Sequence, residues 1–383
     1  MHVVQEYQPA IGGMAEVVKQ LSERLIAMGH KVTVATGTHP GRENEIINGV
    51  RIISFPITGN SVSGYQGNIK EYEDFLLNSN FDVVTFFAAQ QWATDIALPL
   101  LEKIKGKKVF VPTGFSYFHN PAYSAYYESM KTWMKHFDAN VFLASNYQDI
   151  NFAKENGITK NHLIPNGASE EEFDSPVKIN IREKLNITKD SFFILHVGSF
   201  TGAKGQPEAI KIFLKTKIKD GVLFLSGYNN KQLNKLLFSH PRFMWLKLQA
   251  FLKGKKIIVT ELNRQETVDA YKTADLFLFP SNIECSPIVL FECMAAKLPF
   301  VSSEVGNTAE IAQWGGNGFI MPTEKDEIGW GKIKIKESAK LLEEVCSNKN
   351  KLKKMGENGY TAWKNKFTWK RIAEQYEKLY LSL

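Results

Sequence analysis

Cysteine is scarce, with three in 383 residues, no Cys-x-x-Cys pair, and two of the three inside one short segment (Cys285 and Cys293). That argues against a disulfide framework and a thiolate zinc site, and it makes a reducing cytosol the simplest compartment. No stretch approaches the ~18 consecutive apolar residues needed to cross a bilayer. The opening Met1-His-Val-Val-Gln-Glu reads as the end of a strand and not as a secretory leader. There is no internal repeat, and bias towards a few residue types is confined to a lysine-asparagine run near 348–354. The G-x-G-x-x-G fingerprint is also missing, which removes support for nicotinamide chemistry.

What is present is enough for two cores. A chain of 383 residues, 44% apolar and 12% aromatic, exceeds what one core organises. The formal net charge is +7, with lysines clustered at 103–108, 211–219, 253–256 and 349–354. A solvated lysine-rich surface accounts for this, and attraction to an anionic membrane or a phosphate-bearing acceptor is the functional alternative. No recognised motif accompanies the charge, so nucleic acid is not an expected partner.

Along the first half, apolar runs alternate with helical spacing. Strands are expected at His2–Val4, Lys31–Thr36, Val50–Phe55, Phe81–Phe87, Lys108–Val111 and Ala139–Leu143. Between the first two, Met14, Val17, Val18, Leu21, Leu25 and Met28 mark a helix that Gly29-His30 ends. Turn residues at Ile164-Pro-Asn-Gly-Ala168 and the acidic 170–176 stretch suggest a linker. A second series follows at Phe192–Val197, Val222–Leu225, Ile257–Val259, Asp275–Phe279 and Phe300-Val301, and residues 368–383 form a final amphipathic helix. This is a doubly wound α/β pattern.

The densest chemistry lies in Glu284-Cys-Ser-Pro-Ile-Val-Leu-Phe-Glu292. Ser286 can cap a helix that Pro287 begins. Glu284 then stands before the helix and Glu292 more than a turn inside it. First-turn amides from about Ile288 and Val289 onward would offer a seat for an anion. Hydroxyl-binding acids flanking a phosphate seat suit a nucleotide-sugar. An ordinary helix that happens to carry two glutamates is the plainer account, but the segment lies in strand-loop-helix-strand order, which places ligands at carboxyl strand ends.

Two further loops fit that order. Gly12-Gly13 lies between the first strand and first helix, where glycine permits close backbone approach; a plain turn explains it equally well. The strand ending at Val197 runs into Gly198-Ser-Phe-Thr-Gly-Ala-Lys204-Gly205, where a lysine could reach a diphosphate as a point charge or could simply face solvent. The aromatic tract from Phe115 to Phe137 repeats at helical spacing through Tyr126, Tyr127, Met130, Trp133, Met134 and Phe137. Core packing is its main reading, and an acceptor-side wall is the other.

Together, Pro9-x-Ile-Gly-Gly-Met14, His196-Val-Gly-Ser-x4-Lys204-Gly205 and Pro280-Ser-Asn-Ile-Glu284-x7-Glu292-Cys-Met-Ala-Ala resemble family 4 of the retaining glycosyltransferases, across nearly the whole chain. The Pro165-Asn166-Gly167 segment, with Phe173 after it, is similar to that family's interdomain linker. The resemblance implies the GT-B fold, an α/β architecture of two Rossmann-like doubly wound domains facing across a cleft. An acceptor-side domain would span 1–168 and a nucleotide-sugar domain 169–367, with helix 368–383 returning to the first.

The resemblance further implies sugar transfer, with retention, from a UDP- or GDP-sugar to a glycan or lipid-linked hydroxyl. The setting would be cytoplasmic, with peripheral contact at the inner face of a membrane. Lys204, Glu284 and Gly13 would form the catalytic set. Glu292 would hold the ribose hydroxyls and Glu284 would face the donor sugar. Lys204 and the amides around Ile288 and Val289, just after Pro287, would hold the diphosphate, with Gly12 and Gly13 approaching it, and Glu261-Leu262 falls where the base-binding backbone lies.

Two positions depart from the family pattern. Ser199 stands where the family commonly has arginine, and Thr113-Gly114 stands where it often has His-Gly, with the loop residue His119 six positions past Thr113. Without an Asp-x-Asp strand end, no metal is required for diphosphate binding and no cofactor is expected. A GT-B epimerase or phosphorylase, and an inactive sugar-nucleotide-binding scaffold, are the competing expectations.

Overall fold

The computed structural model describes residues 1–227 and 241–383, apart from the side chains of 241–243. It comprises two compact units, Met1–Asn166 with Trp369–Leu383, and Gly167–Thr368.

In the first unit the strands are β1 (His2–Val3), β2 (Thr33–Gly37), β3 (Ile46–Ile47), β4 (Val50–Phe55), β5 (Thr58–Asn60), β6 (Gly64–Gln66), β7 (Val83–Phe87), β8 (Lys107–Val111), β9 (Ala139–Phe142) and β10 (Asn161–Leu163). Eight form one sheet in the order β10-β9-β8-β7-β1-β2-β4-β3, while β5 and β6 make a separate hairpin. Only β3 runs antiparallel to its neighbour in the large sheet. The central strands are apolar and buried along nearly their whole length, as a parallel sheet covered on both faces requires. Val17, Val18, Leu21 and Leu25 bury one face of helix Gly13–Ala27, which ends before Gly29 at φ 96°.

The second unit holds β11 (Phe192–Val197), β12 (Gly221–Ser226), β13 (Lys256–Val259), β14 (Leu276–Phe279), β15 (Phe300–Ser303) and β16 (Gly318–Met321), all parallel, in the order β13-β12-β11-β14-β15-β16. Strands β17 (Thr323–Lys325) and β18 (Gly331–Ile333) form a small antiparallel pair. The chain winds outward from β11 to β13, returns to β14 beside β11, and winds the other way. Order therefore reverses between β11 and β14, the position at which sheets of this kind hold ligands at their carboxyl ends.

Several expectations shift in detail. The acidic stretch read as a linker is only partly so: Glu170–Phe173 is a helical turn, and Phe173 is buried in the second core beside Tyr271. An aromatic side chain with apolar surface to bury outweighs the local charge. The short strands β3, β5, β6, β10, β17 and β18 were not foreseen, being too brief for a periodic signal. In the aromatic tract, Tyr126, Tyr127, Met130, Met134 and Phe137 are core residues.

Candidate functional site

Loops 198–205 and 280–287 leave the adjacent strands β11 and β14, and this adjacency brings their side chains together. Lys204 Nζ donates to Glu284 Oε1 at 2.7 Å, and Ser281 Oγ donates to the same oxygen at 2.7 Å. The lysine side chain is 28% exposed and the glutamate 8%, so the carboxylate is nearly enclosed and the ammonium sits at the mouth. An enclosed carboxylate needs such partners, because an unpaired one costs several kcal/mol. The two residues expected at the diphosphate and at the sugar thus hold one another.

The loop is fixed by close backbone approach. Gly205 adopts φ 71°, and a Cβ there would lie 1.7 Å from the Pro280 carbonyl oxygen. Asn282 N–H donates to the Ala203 carbonyl at 2.8 Å, and Gln206 Nε2 donates to the carbonyls of Gly198 and Ser199 at 3.2 and 3.1 Å. Ser199 is half-buried. Beneath the loop, buried His196 donates from Nδ1 to the Leu278 carbonyl at 2.8 Å, while its Nε2 has no hydrogen-bond partner. Burial lowers this imidazole's pKa to about 4, and the Lys204 charge acts in the same direction.

The start of the second helix differs from the expectation. Pro287, at φ −71° and ψ 118°, is the extended residue before the helix, which runs Ile288–Ala295 with no side-chain cap. Pro287 is therefore the cap position, not the first helical residue, and Ser286 lies one step further out than a capping serine. The neighbouring loop explains the shift. Asn307 N–H donates to the Cys285 carbonyl at 2.8 Å, and Gly306 packs against that carbonyl at φ 56°, anchoring the bend at 285–286 that precedes the extended Pro287. Leu290 N–H bonds the Pro287 carbonyl at 3.2 Å, and helix geometry directs the half-buried Ile288 and Val289 amides out of the first turn.

Glu292 lies in the second turn, its side chain 5% exposed among the buried Leu290, Phe291, Cys293 and Met294. Arg264 reaches it at 2.6 Å and also binds Glu172 with Nε at 2.9 Å and Nη2 at 2.5 Å. Sequence reasoning named Glu292 and missed Arg264. The one local signal was Asn263-x-x-Glu266, a capping box that starts helix Arg264–Thr273 and so orients the arginine at its first position. Buried Tyr271 lies nearby, its phenol pushed up chiefly by burial and then by the Glu292 charge.

Glu261 is exposed and Leu262 half-buried in the loop following β13, on the same carboxyl edge. Gly12 and Gly13 belong to the first unit, where Gly12 precedes the first helix and both are exposed. A Cβ at Gly12 would meet nothing within 4 Å, so no protein packing demands glycine there.

The first unit's sheet edge carries a second constellation. Thr113, Gly114 and Phe115 are consecutive residues with positive φ (59°, 98° and 55°). The buried Asp149 accepts from the Gly114 amide at 2.9 Å, and Gln148 Nε2 donates to the carbonyls of Gly114 and Phe115 at 2.6 and 2.7 Å. Such strain persists only where surrounding bonds over-determine it, commonly at ligand sites. Beside it, Gln90 Nε2 donates to the Tyr127 hydroxyl at 2.5 Å, and the Tyr126 hydroxyl donates to Asp95 at 2.8 Å. Tyr117, 50% exposed, stacks on Tyr123 at 5.0 Å and 10°. His119 is exposed at the edge of this loop.

A parallel sheet wound 3-2-1-4-5-6 defines a doubly wound α/β protein, a class that holds its ligands at the carboxyl edge where strand order reverses. Comparison with known proteins narrows this. The family model described as glycosyl transferases group 1 matches residues 177–362, and that of Glycosyltransferase Family 4 matches residues 11–172. The chain belongs to the family 4 glycosyltransferases, of GT-B fold. It is similar to an uncharacterised glycosyltransferase of Methanocaldococcus jannaschii, 27% identical over 99% of this chain and 96% of that one. In fold it resembles the sucrose-phosphate synthase of Thermosynechococcus elongatus (TM-score 0.76, 18% identity, 97% and 93% of the two chains) and HepE of Anabaena in complex with UDP-glucose (TM-score 0.73, 13% identity, 99% and 98%).

Proposed function

We propose that this glycosyltransferase moves a hexose, with retention and without a metal ion, from a nucleotide-diphosphate sugar to a hydroxyl of a glycan or lipid-linked acceptor. The observation that carries the reading is the Lys204–Glu284 contact at the reversal point of the second sheet, beside the Ile288–Val289 helix tip. A cation and a helix N-terminus suit a diphosphate, and an enclosed carboxylate beside them suits sugar hydroxyls. The HepE complex with UDP-glucose favours a UDP donor, and a GDP-sugar remains the other candidate.

In this scheme the bond from the anomeric carbon to the phosphate oxygen breaks, and its electron pair passes to the leaving diphosphate. Lys204 and the helix-tip amides stabilise the charge that develops there. The acceptor hydroxyl adds on the same face of the sugar, and its proton goes to the departing phosphate oxygen. Ribose hydroxyls bond Glu292 in exchange for Arg264, which keeps its two bonds to Glu172. The Tyr117–Tyr123 stack, next to the strained 113–115 turn, offers the acceptor an aromatic face. The three free thiols fit a cytoplasmic setting.

Replacing Lys204 with alanine is expected to lower kcat on the order of 10²–10³-fold, with a smaller effect on donor affinity. Glu292→Gln is expected to weaken nucleotide binding about tenfold, since one charged hydrogen-bond acceptor is lost. Product formation from UDP- and GDP-sugars, with calorimetric titration of the nucleotides, reads both. Unaltered turnover in Lys204→Ala would remove the lysine from the mechanism, and nucleotide binding with no transfer to any acceptor would leave a binding protein.

A further inference from the structure

One acid-free segment carries as much net positive charge as the whole chain. Residues 221–260 contain no aspartate or glutamate and seven basic residues: Lys231, Lys235, Arg242, Lys247, Lys253, Lys255 and Lys256. The remaining 40 of the chain's 47 Lys and Arg balance its 40 acids, so the net +7 belongs to this segment.

Inside it, helix Pro241–Leu252 presents large apolar side chains to solvent: Met244 58% exposed, Trp245 56%, Leu248 46%, Phe251 77% and Leu252 72%. At about 100° per residue these five fall within an arc of about 120°, while Leu246 and Ala250, which pack on the second core, lie on the opposite side. Lys247 and Gln249 border the outer arc. A helix of a globular protein ordinarily turns one apolar stripe inward, and this one carries a second stripe facing out.

Of the basic residues nearby, Lys247 alone borders the stripe among the described residues. Lys253 is exposed and donates to the Leu214 carbonyl at 2.8 Å, tying the end of this helix to the region of Lys215, Lys217 and Lys219, all exposed. Lys255 points inward to the Phe213 and Thr216 carbonyls and does not contribute to the surface. Among the described residues, Asp220 follows Lys219 in sequence and Glu343 accepts from the Lys217 amide at 2.6 Å.

We propose that the face formed by Met244, Trp245, Leu248, Phe251 and Leu252 docks in the interface of an anionic lipid bilayer, as a peripheral anchor carried by the nucleotide-sugar unit. A tryptophan and phenylalanine stripe bordered by Lys247, in a segment of sequence with no acidic residue, is the pattern of a helix lying in an anionic headgroup layer. The same charge argues against a second copy of the chain as occupant, because a two-fold contact would bring two acid-free lysine-rich segments together. The inference does not depend on the donor or on catalytic roles, so its failure leaves the transfer reading standing.

Co-sedimentation with phosphatidylcholine vesicles, with and without about 30% phosphatidylglycerol, tests it. The full chain is expected to bind the anionic vesicles at least about tenfold more tightly than the neutral ones, and to be released by high salt. Trp245→Glu/Phe251→Glu should weaken that binding at least about tenfold while retaining the wild-type circular dichroism and transfer to a soluble acceptor. If that variant misfolds, brominated lipid provides the second measurement: it should quench tryptophan fluorescence in the wild type and not in Trp245→Phe. Equal binding to neutral and anionic vesicles, no binding, or quenching unchanged in Trp245→Phe would overturn the proposal. So would a wild-type dimer in solution that the double variant dissociates.

Discussion

His196 shows how one buried side chain sets a pH limit. Its imidazole is neutral in the folded protein because burial brings its pKa down to about 4, against 6.5 in an unfolded chain. The unfolded state therefore binds a proton between those values that the folded state refuses. The stability this group contributes is fully present above pH 6.5, and it is lost as pH falls towards 4. Between pH 7.5 and 5 the loss from this residue should be about 2 kcal/mol. Denaturant unfolding at both pH values, compared with His196→Gln, measures it; an equal pH response in the two proteins would refute the assignment. The residue itself was legible as part of His196-Val-Gly-Ser. Its burial was not, because the strand end it bonds, Leu278 of β14, lies 82 residues away in the chain.

At the scale of elements, the tight loop between β11 and helix Gln206–Lys215 is the feature most open to test. A Cβ at Gly205 would meet a backbone oxygen that cannot swing aside, and the position requires positive φ as well. Gly202 also has positive φ, at 85°, but a Cβ there meets nothing within 4 Å. Gly202→Ala should therefore cost about 1 kcal/mol from backbone strain alone. Gly205→Ala should cost about 3 kcal/mol or more and abolish nucleotide binding, because the loop must leave Pro280. Melting temperatures and nucleotide titrations of the two variants separate these effects, and equal costs would show that the loop moves freely. Central strands such as Phe192–Val197 and Leu276–Phe279 were readable within a residue or two, since continuous apolar runs bounded by turn residues are local signals. The helix start at 286–288 was misread by one residue because a neighbouring loop, not the local sequence, anchors the bend at Cys285 through its carbonyl.

For the whole molecule, the chain passes from one unit to the other at Asn166 and returns at Trp369. The returning helix, Trp369–Ser382, buries Trp369, Ile372, Ala373, Tyr376 and Leu379. It bonds the first unit through Glu377 to His30 at 2.7 Å and through the Tyr380 hydroxyl to Thr85 Oγ1 at 2.7 Å. A fragment of residues 1–166 therefore exposes the seat of five buried side chains. It should melt well below, by roughly 10 °C or more, a version with 369–383 joined by a flexible linker. Matching melting temperatures would mean that the helix only decorates that surface.

The sequence by itself determined the two-fold repetition of strand and helix, the glycine-lysine loop, and the Glu284-x7-Glu292 segment, because apolar periodicity and turn chemistry act over a few neighbouring residues. Only the tertiary structure decided that Lys204 grips Glu284, that Arg264 occupies Glu292, and that an apolar stripe on helix Pro241–Leu252 faces outward. Charges and exposed faces find their partners through strand order, and strand order arises from the burial of both sheets as wholes, which no local stretch of residues encodes.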